Sequence, residues 1–300
     1  MAYPIVPAAY GLKPVSLSGG RVFSGSTRLI PIASNYGYNL FNGDVVTASG
    51  GSLVVTTLGA ANSPVAGTVG VFVGAQYVNS MSQTVRAQFY AANTITNTIY
   101  GPNSLQGYVV DDPYAVFQAA VLTQGTSSVS NTPGATIGYV NPSFIGSNMY
   151  LVTNGSNGGS ASGNTTTGDS AMAVSGAVIS SGTSGNTRIA TLLPFRCVSV
   201  VQDTAVTVSA VGGNASTSGT TITLTASNSA IQPGMQLIAQ GVSGVAQGNY
   251  ISVTNVSGTT VTLASSISVP TGTNLSFVGF PEVLVVWNAT FQGMTNTAGV

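Results

Sequence analysis

The chain has no histidine and one cysteine, and only 4% of its 300 residues are charged. Soluble domains ordinarily carry about 25% charge. Each shortage excludes a kind of chemistry. Without histidine there is no Ser-His-Asp or Cys-His relay and no histidine-based zinc centre. The lone Cys197 forbids an internal disulfide and a multi-cysteine metal site. Beside Val198 and Val200, with only Arg196 near enough to favour a thiolate, it reads as a small buried hydrophobe. Six Lys plus Arg balance six Asp plus Glu. That is too few cations to neutralise a phosphate backbone, so no nucleic-acid partner is expected. No apolar run reaches the ~18 residues of a membrane span, and the first residues lack the basic and apolar regions of a signal peptide, so no membrane partner is expected either. A surface this poor in charge favours contact with other protein.

What is present points to strands. The polar residues are Ser, Thr, Asn, Gln and Gly rather than the Lys and Glu of helix surfaces, and Val, Thr, Ile and Tyr are abundant. The 38 Gly and 13 Pro supply turns, and 43% apolar content is enough for a core. The expected fold is all-β.

Three regions differ in character. Residues 1–20 read as an extended arm: Pro4, Pro7 and Pro14 interrupt regular structure, and Tyr3, Ile5, Val6, Tyr10 and Leu12 need a surface to cover them. That surface is either the arm's own body, as an edge strand, or a neighbour. Residues 21–203 with 279–300 read as a main β body, in which Gly50-Gly51 marks a hairpin. Tyr114–Leu122 fits a short helix after Asp112-Pro113 or equally a strand. A Gly/Ser/Asn-rich loop lies near 153–170. Residues 204–278 read as an inserted small β module. There Ser218–Leu224 (SGTTITL) recurs as Ser257–Leu263 (SGTTVTL), alternating outward Thr with inward Ile, Val or Leu. The apolar stretches on either side, 191–203 and 279–291, are expected to pair with each other.

A search for a catalytic, cofactor or metal site yields none. The acids are Asp44, Asp111, Asp112, Asp169, Asp203 and Glu282. Asp111 and Asp112 are adjacent and read as turn and cap residues rather than a facing pair. Asp44 follows the turn dipeptide Asn42-Gly43, and Glu282 opens a strand after Pro281. Asp169 stands alone in its loop, short of the clustered oxygens that calcium needs. The glycine-rich tract has no lysine and is no phosphate loop. Of the cations, Arg21 and Arg28 are the candidates for a specific ion pair or backbone contact within an assembly.

The N-terminal half carries a resemblance. Met1–Val15 (MAYPIVPAAYGLKPV), Gly19–Arg28 (GGRVFSGSTR), Ile30-Pro31-Ile32-Ala33, Phe41–Val46 (FNGDVV), Gly70–Gly74 (GVFVG) and Val110–Pro113 (VDDP) resemble virion structural proteins of marine tailed phages. The FNGDVV and AGTVGVFVG stretches are similar to the β-tulip layout of capsid decoration, or cement, proteins. This resemblance implies a barrel-like β-tulip body, no enzymatic activity, and a place on the capsid exterior. It also implies self-association as a homotrimer and the major capsid protein as partner, with Tyr3, Ile5, Val6, Tyr10, Leu12, Arg21 and Arg28 as capsid or subunit contacts. Residues 204–278 resemble the small immunoglobulin-like β-sandwich modules that phages insert into surface proteins, which implies a host-surface glycan as the module's ligand. The alternatives are a tail-fibre or adhesin-type receptor- or carbohydrate-binding protein, and the major coat protein, whose fold needs a long charged helix that the chain does not show.

Overall fold

A computed structural model of the chain describes residues 9–33, 35–56, 68–94, 105–122, 145–149, 151–152, 163–175, 194–201, 207–213, 216–233, 235–238, 251–279 and 281–288. Among these the regular structure is all strand, with no helix. In chain order the first strands are β1 (Lys13–Leu17), β2 (Arg21–Val22), β3 (Arg28–Pro31), β4 (Val45–Ser49), β5 (Ser52–Val55), β6 (Thr68–Val78), β7 (Thr84–Ala87), β8 (Gln106–Val110) and β9 (Ala115–Leu122). There follow β10 (Asn148–Met149), β11 (Leu151–Val152), β12 (Ala173–Ser175), β13 (Phe195–Val201), β14 (Thr207–Val211) and β15 (Ser216–Thr223). The last are β16 (Gln236–Ile238), β17 (Ile251–Ser257), β18 (Thr260–Val269), β19 (Asn274–Val278) and β20 (Glu282–Trp287).

An eight-stranded sheet runs β10-β13-β20-β9-β1-β2, with β11 and β12 joined to it where β12 pairs with β9 in parallel. The stretch from Tyr114 to Leu122, open to either reading in sequence, is strand from Ala115. Lying between β1 and β20, β9 has its backbone groups paired on both sides. Its alternation then places Ala115, Phe117, Ala119 and Val121 in the core. The apolar stretches that flank the Thr-rich segment pair directly, Phe195 opposite Trp287 and Val201 opposite Glu282.

The second sheet of the body runs β3-β8-β6-β4-β5, with β7 alongside β6. Its long strand β6 passes so close to β8 that a Cβ on Gly70 would lie 2.2 Å from the carbonyl oxygen of Val110. Only glycine permits that approach. One parallel bridge, Ile32 to Leu53, draws the ends of this sheet together. Neither body sheet closes into a barrel among the described residues, so the barrel implied by the resemblance gives way to open sheets. The two sheets share one core, in which Phe117, Phe195 and Val285 from the first join Leu53, Phe72 and Val109 from the second.

Residues 207–278 form a third sheet, β14-β19-β16-β17-β18-β15, with a core of their own that includes Ile222, Leu237, Val261, Leu263 and Phe277. The two SGTT repeats meet in it: Thr221 faces Thr262 and Ile222 faces Val261 across β15 and β18. The strands follow one hydrogen-bonded path rather than two separate sheets.

Candidate functional site

The residues with unusual chemistry gather where the N-terminal segment enters the body. Gly11 and Leu12 cross the turn Phe41–Asp44 and the loop Gly163–Met172. The Gly11 N–H donates to the Met172 carbonyl at 3.0 Å, and the Leu12 N–H to the Gly43 carbonyl at 3.0 Å. The crossing is tight: a Cβ on Gly11 would come within 2.7 Å of the Ser170 Cβ and 2.8 Å of the Gly43 Cα. Gly11 also holds φ at 82°, in the left-handed region that favours glycine.

The loop is ordered by its own side chains. Asn164 accepts the N–H of Thr166 through Oδ1 at 2.8 Å, and the Gly168 N–H closes onto the Asn164 carbonyl at 2.7 Å. The Asn42 N–H then donates to Gly168, and the Ser170 N–H returns a bond to Asn42. This ladder explains how a segment almost without packing side chains keeps a defined path.

Asp44 lies at the centre, fully buried. Its Oδ2 accepts the Phe41 N–H at 2.7 Å, and its Oδ1 accepts the Ser170 hydroxyl at 2.5 Å. Burial pushes its carboxyl up from 3.8 to about 7, against the lowering pull of Ser170, the Phe41 N–H and the Lys13 ammonium. Lys13, the only lysine in the chain, donates to Asp169 Oδ1 at 2.6 Å and to the Asn42 carbonyl at 3.3 Å. Burial tends to raise Asp169, but the Lys13 hydrogen bond and charge outweigh it and hold that carboxyl below its ordinary value. The pair is about a third exposed, with side chains 28% and 32% accessible, so it contributes at most about 1 kcal/mol.

A few residues away the Tyr10 hydroxyl donates to the Glu282 carboxylate. Burial first, then the Glu282 hydrogen bond and charge, raise that hydroxyl well above its ordinary value. Glu282 is itself buried, at the start of β20.

The predicted contact residues therefore divide. Tyr3, Ile5 and Val6 lie outside the described residues. Leu12 is fully buried in its own chain's core, and Tyr10 is spent on Glu282. As a correction to the arm expected over residues 1–20, its C-terminal part is body: β1 sits between β9 and β2, and Leu12 cannot also fill a neighbour's groove. Arg28 pairs with Asp111 at 2.8 Å while remaining half exposed, and Arg21 is exposed on β2. Sequence reasoning missed Lys13, Asp44, Asp169, Ser170 and Glu282 as one junction; the only local signal was the Asn42-Gly43-Asp44 turn.

The junction holds segments together. Each carboxylate in it faces a donor from its own chain, and among the described residues no group of three or more His, Cys, Asp or Glu is placed to hold a metal ion. No described helix is long and apolar enough to cross a membrane. Comparison of the chain with protein-family models, with curated proteins and with solved structures finds no match.

Proposed function

We propose that the chain is a non-enzymatic structural protein of a tailed-phage virion, a cement or decoration protein that binds the exterior of the capsid lattice and stabilises it. The observation that carries this reading is the surface. Val22 is 83% exposed, Met81 77% and Tyr114 60%, on a chain that is only 4% charged. Exposed large apolar side chains are ordinary singly; combined with so little charge, they suit a surface that is covered in its working state. The major capsid protein is the partner this reading names, with a homotrimer as the form that binds it.

A second reading, a tail-fibre or adhesin-type protein, draws on residues 207–278, whose separate core suits a module added for binding a host-surface glycan. Copy number separates the two. Quantitative mass spectrometry of purified virions is expected to count this chain in the hundreds, in a fixed ratio to the major capsid protein. A count of a few copies per particle contradicts the capsid reading and favours the tail.

A further inference from the structure

The second body sheet presents a polar patch to solvent around Tyr108. Its registers set Leu29 beside Tyr108 and Gly74, and Gln106 beside Gln76 and Arg86, across β3, β8, β6 and β7. The alternate residues turn inward: Ala75 lies in the core, and a Cβ on Gly107 would come within 2.6 Å of the Leu53 side chain. On the outer side Leu29 and Arg86 are exposed, and Tyr108, Gln76 and Gln106 are half-buried. Gly74 has no side chain, and the Tyr108 ring leans across the space this leaves, its Cδ2 4.0 Å from where a Cβ on Gly74 would stand. The Tyr108 hydroxyl donates to Gln76 Oε1 at 2.6 Å, and the Arg86 Nε–H donates to the same oxygen at 3.0 Å. That carbonyl is thereby occupied, and the Gln76 NH2 remains a donor. Among the described residues the ion pairs are Lys13–Asp169 and Arg28–Asp111, so the Arg86 guanidinium keeps its two terminal amines free. Past β7, Gln88 reaches Asp169, whose charge Lys13 offsets.

We propose that this patch binds a carboxylated saccharide, a sugar of the uronic acid type, with its pyranose ring on Tyr108 and its carboxylate on Arg86. A sugar has an apolar C–H face and a rim of hydroxyls. The first suits the ring of Tyr108 and the side chain of Leu29, the second the amides of Gln76 and Gln106. The free fork of Arg86 matches a carboxylate in two parallel hydrogen bonds. A single cation selects a singly charged group rather than a phosphate chain. A peptide finds less here: the backbones of β8 and β6 are paired on both sides, so no main-chain ladder is open to it. The patch also has what residues 207–278 lack. Their one described aromatic side chain, Phe277, is buried, so no ring among their described residues is free to stack on a sugar. The inference goes beyond the virion reading and places a ligand on the body rather than on the module.

The test is isothermal titration calorimetry of the full-length chain with oligogalacturonate. The uncharged galacto-oligosaccharide, a sulfated galacto-oligosaccharide and poly-glutamate run alongside. Oligogalacturonate is expected to bind with a Kd of about 1 mM or tighter, and the uncharged sugar about tenfold more weakly. Arg86→Gln is expected to remove that preference, and Tyr108→Leu to weaken both sugars about tenfold. Circular dichroism checks both folds, and Gln106→Ala, with the same expected loss, stands in for Tyr108→Leu should that variant misfold. The control is Arg196→Gln, at an exposed position on β13 of the other body sheet, and it is expected to bind as the wild type does. Absence of oligogalacturonate binding overturns the proposal, as does stronger binding of the sulfated sugar or of poly-glutamate. Oligogalacturonate binding that survives both Arg86→Gln and the Tyr108 variant places the sugar elsewhere on the chain and overturns it too. None of these results touches the virion reading, which copy number in the particle tests separately.

Discussion

Asp44 sits in an environment far from the usual one for its type, and its titration has a sign. A carboxyl raised on folding binds its proton more readily folded than unfolded. Its contribution is therefore complete below the ordinary value of 3.8, is lost as pH rises towards about 7, and is flat above that. Over that window the loss is roughly 4 kcal/mol. Asp169 works in the opposite sense, its contribution fading only as pH falls below the ordinary carboxylate range. Urea midpoints measured from pH 4 to pH 8 are expected to fall for the wild type. The slope should be largely abolished in Asp44→Asn, which keeps one carbonyl acceptor without the charge. A variant with an unchanged slope would assign the titration elsewhere. The turn at Asn42-Gly43-Asp44 was legible in sequence because turn chemistry is local. The partner of its carboxyl was not, since Ser170 is 126 residues away.

At the scale of elements, pairing decided what local pattern left open. The stretch YAVFQAAVL satisfies a helical stripe and a strand alternation alike; being flanked by β1 and β20 settles it as β9. The Thr-rich repeats were legible because they alternate cleanly over several residues, and the flanks because each is a short apolar run. The end of the arm was not, because Leu12, Lys13 and Pro14 look the same in sequence whether they enter their own core or a neighbour's groove. Removal of residues 1–15 would thus also take Leu12 and Lys13 out of the body, and the clean test of the arm removes residues 1–8. That truncation is expected to reduce incorporation into particles. Leu12→Ala, in contrast, should cost about 2–5 kcal/mol of stability. Full incorporation of the truncated chain would take the anchoring role away from Tyr3, Ile5 and Val6.

Across the whole molecule the division into two cores has a consequence for engineering. The body core and the core of residues 207–278 are separate clusters, and β13 and β20 already lie antiparallel on either side of the connection. Excising residues 204–278 and joining the ends by a short turn is expected to preserve a cooperative unfolding transition in the remaining chain. Loss of that transition would show that the module supports the body. The near absence of charge acts at this scale too: a chain with net charge zero and exposed Val22, Met81 and Tyr114 is expected to self-associate at micromolar concentration in sedimentation. A compact monomer there would count against a surface built to be covered.

The central claim is a place on the outside of a capsid, and a cryo-electron microscopy map of the purified virion tests it most directly. The account predicts density fitting the two-sheet body on the outer surface of the shell, repeated with the capsid lattice. A shell whose outer surface carries no such density, with this chain confined to the tail or absent from the particle, would contradict it.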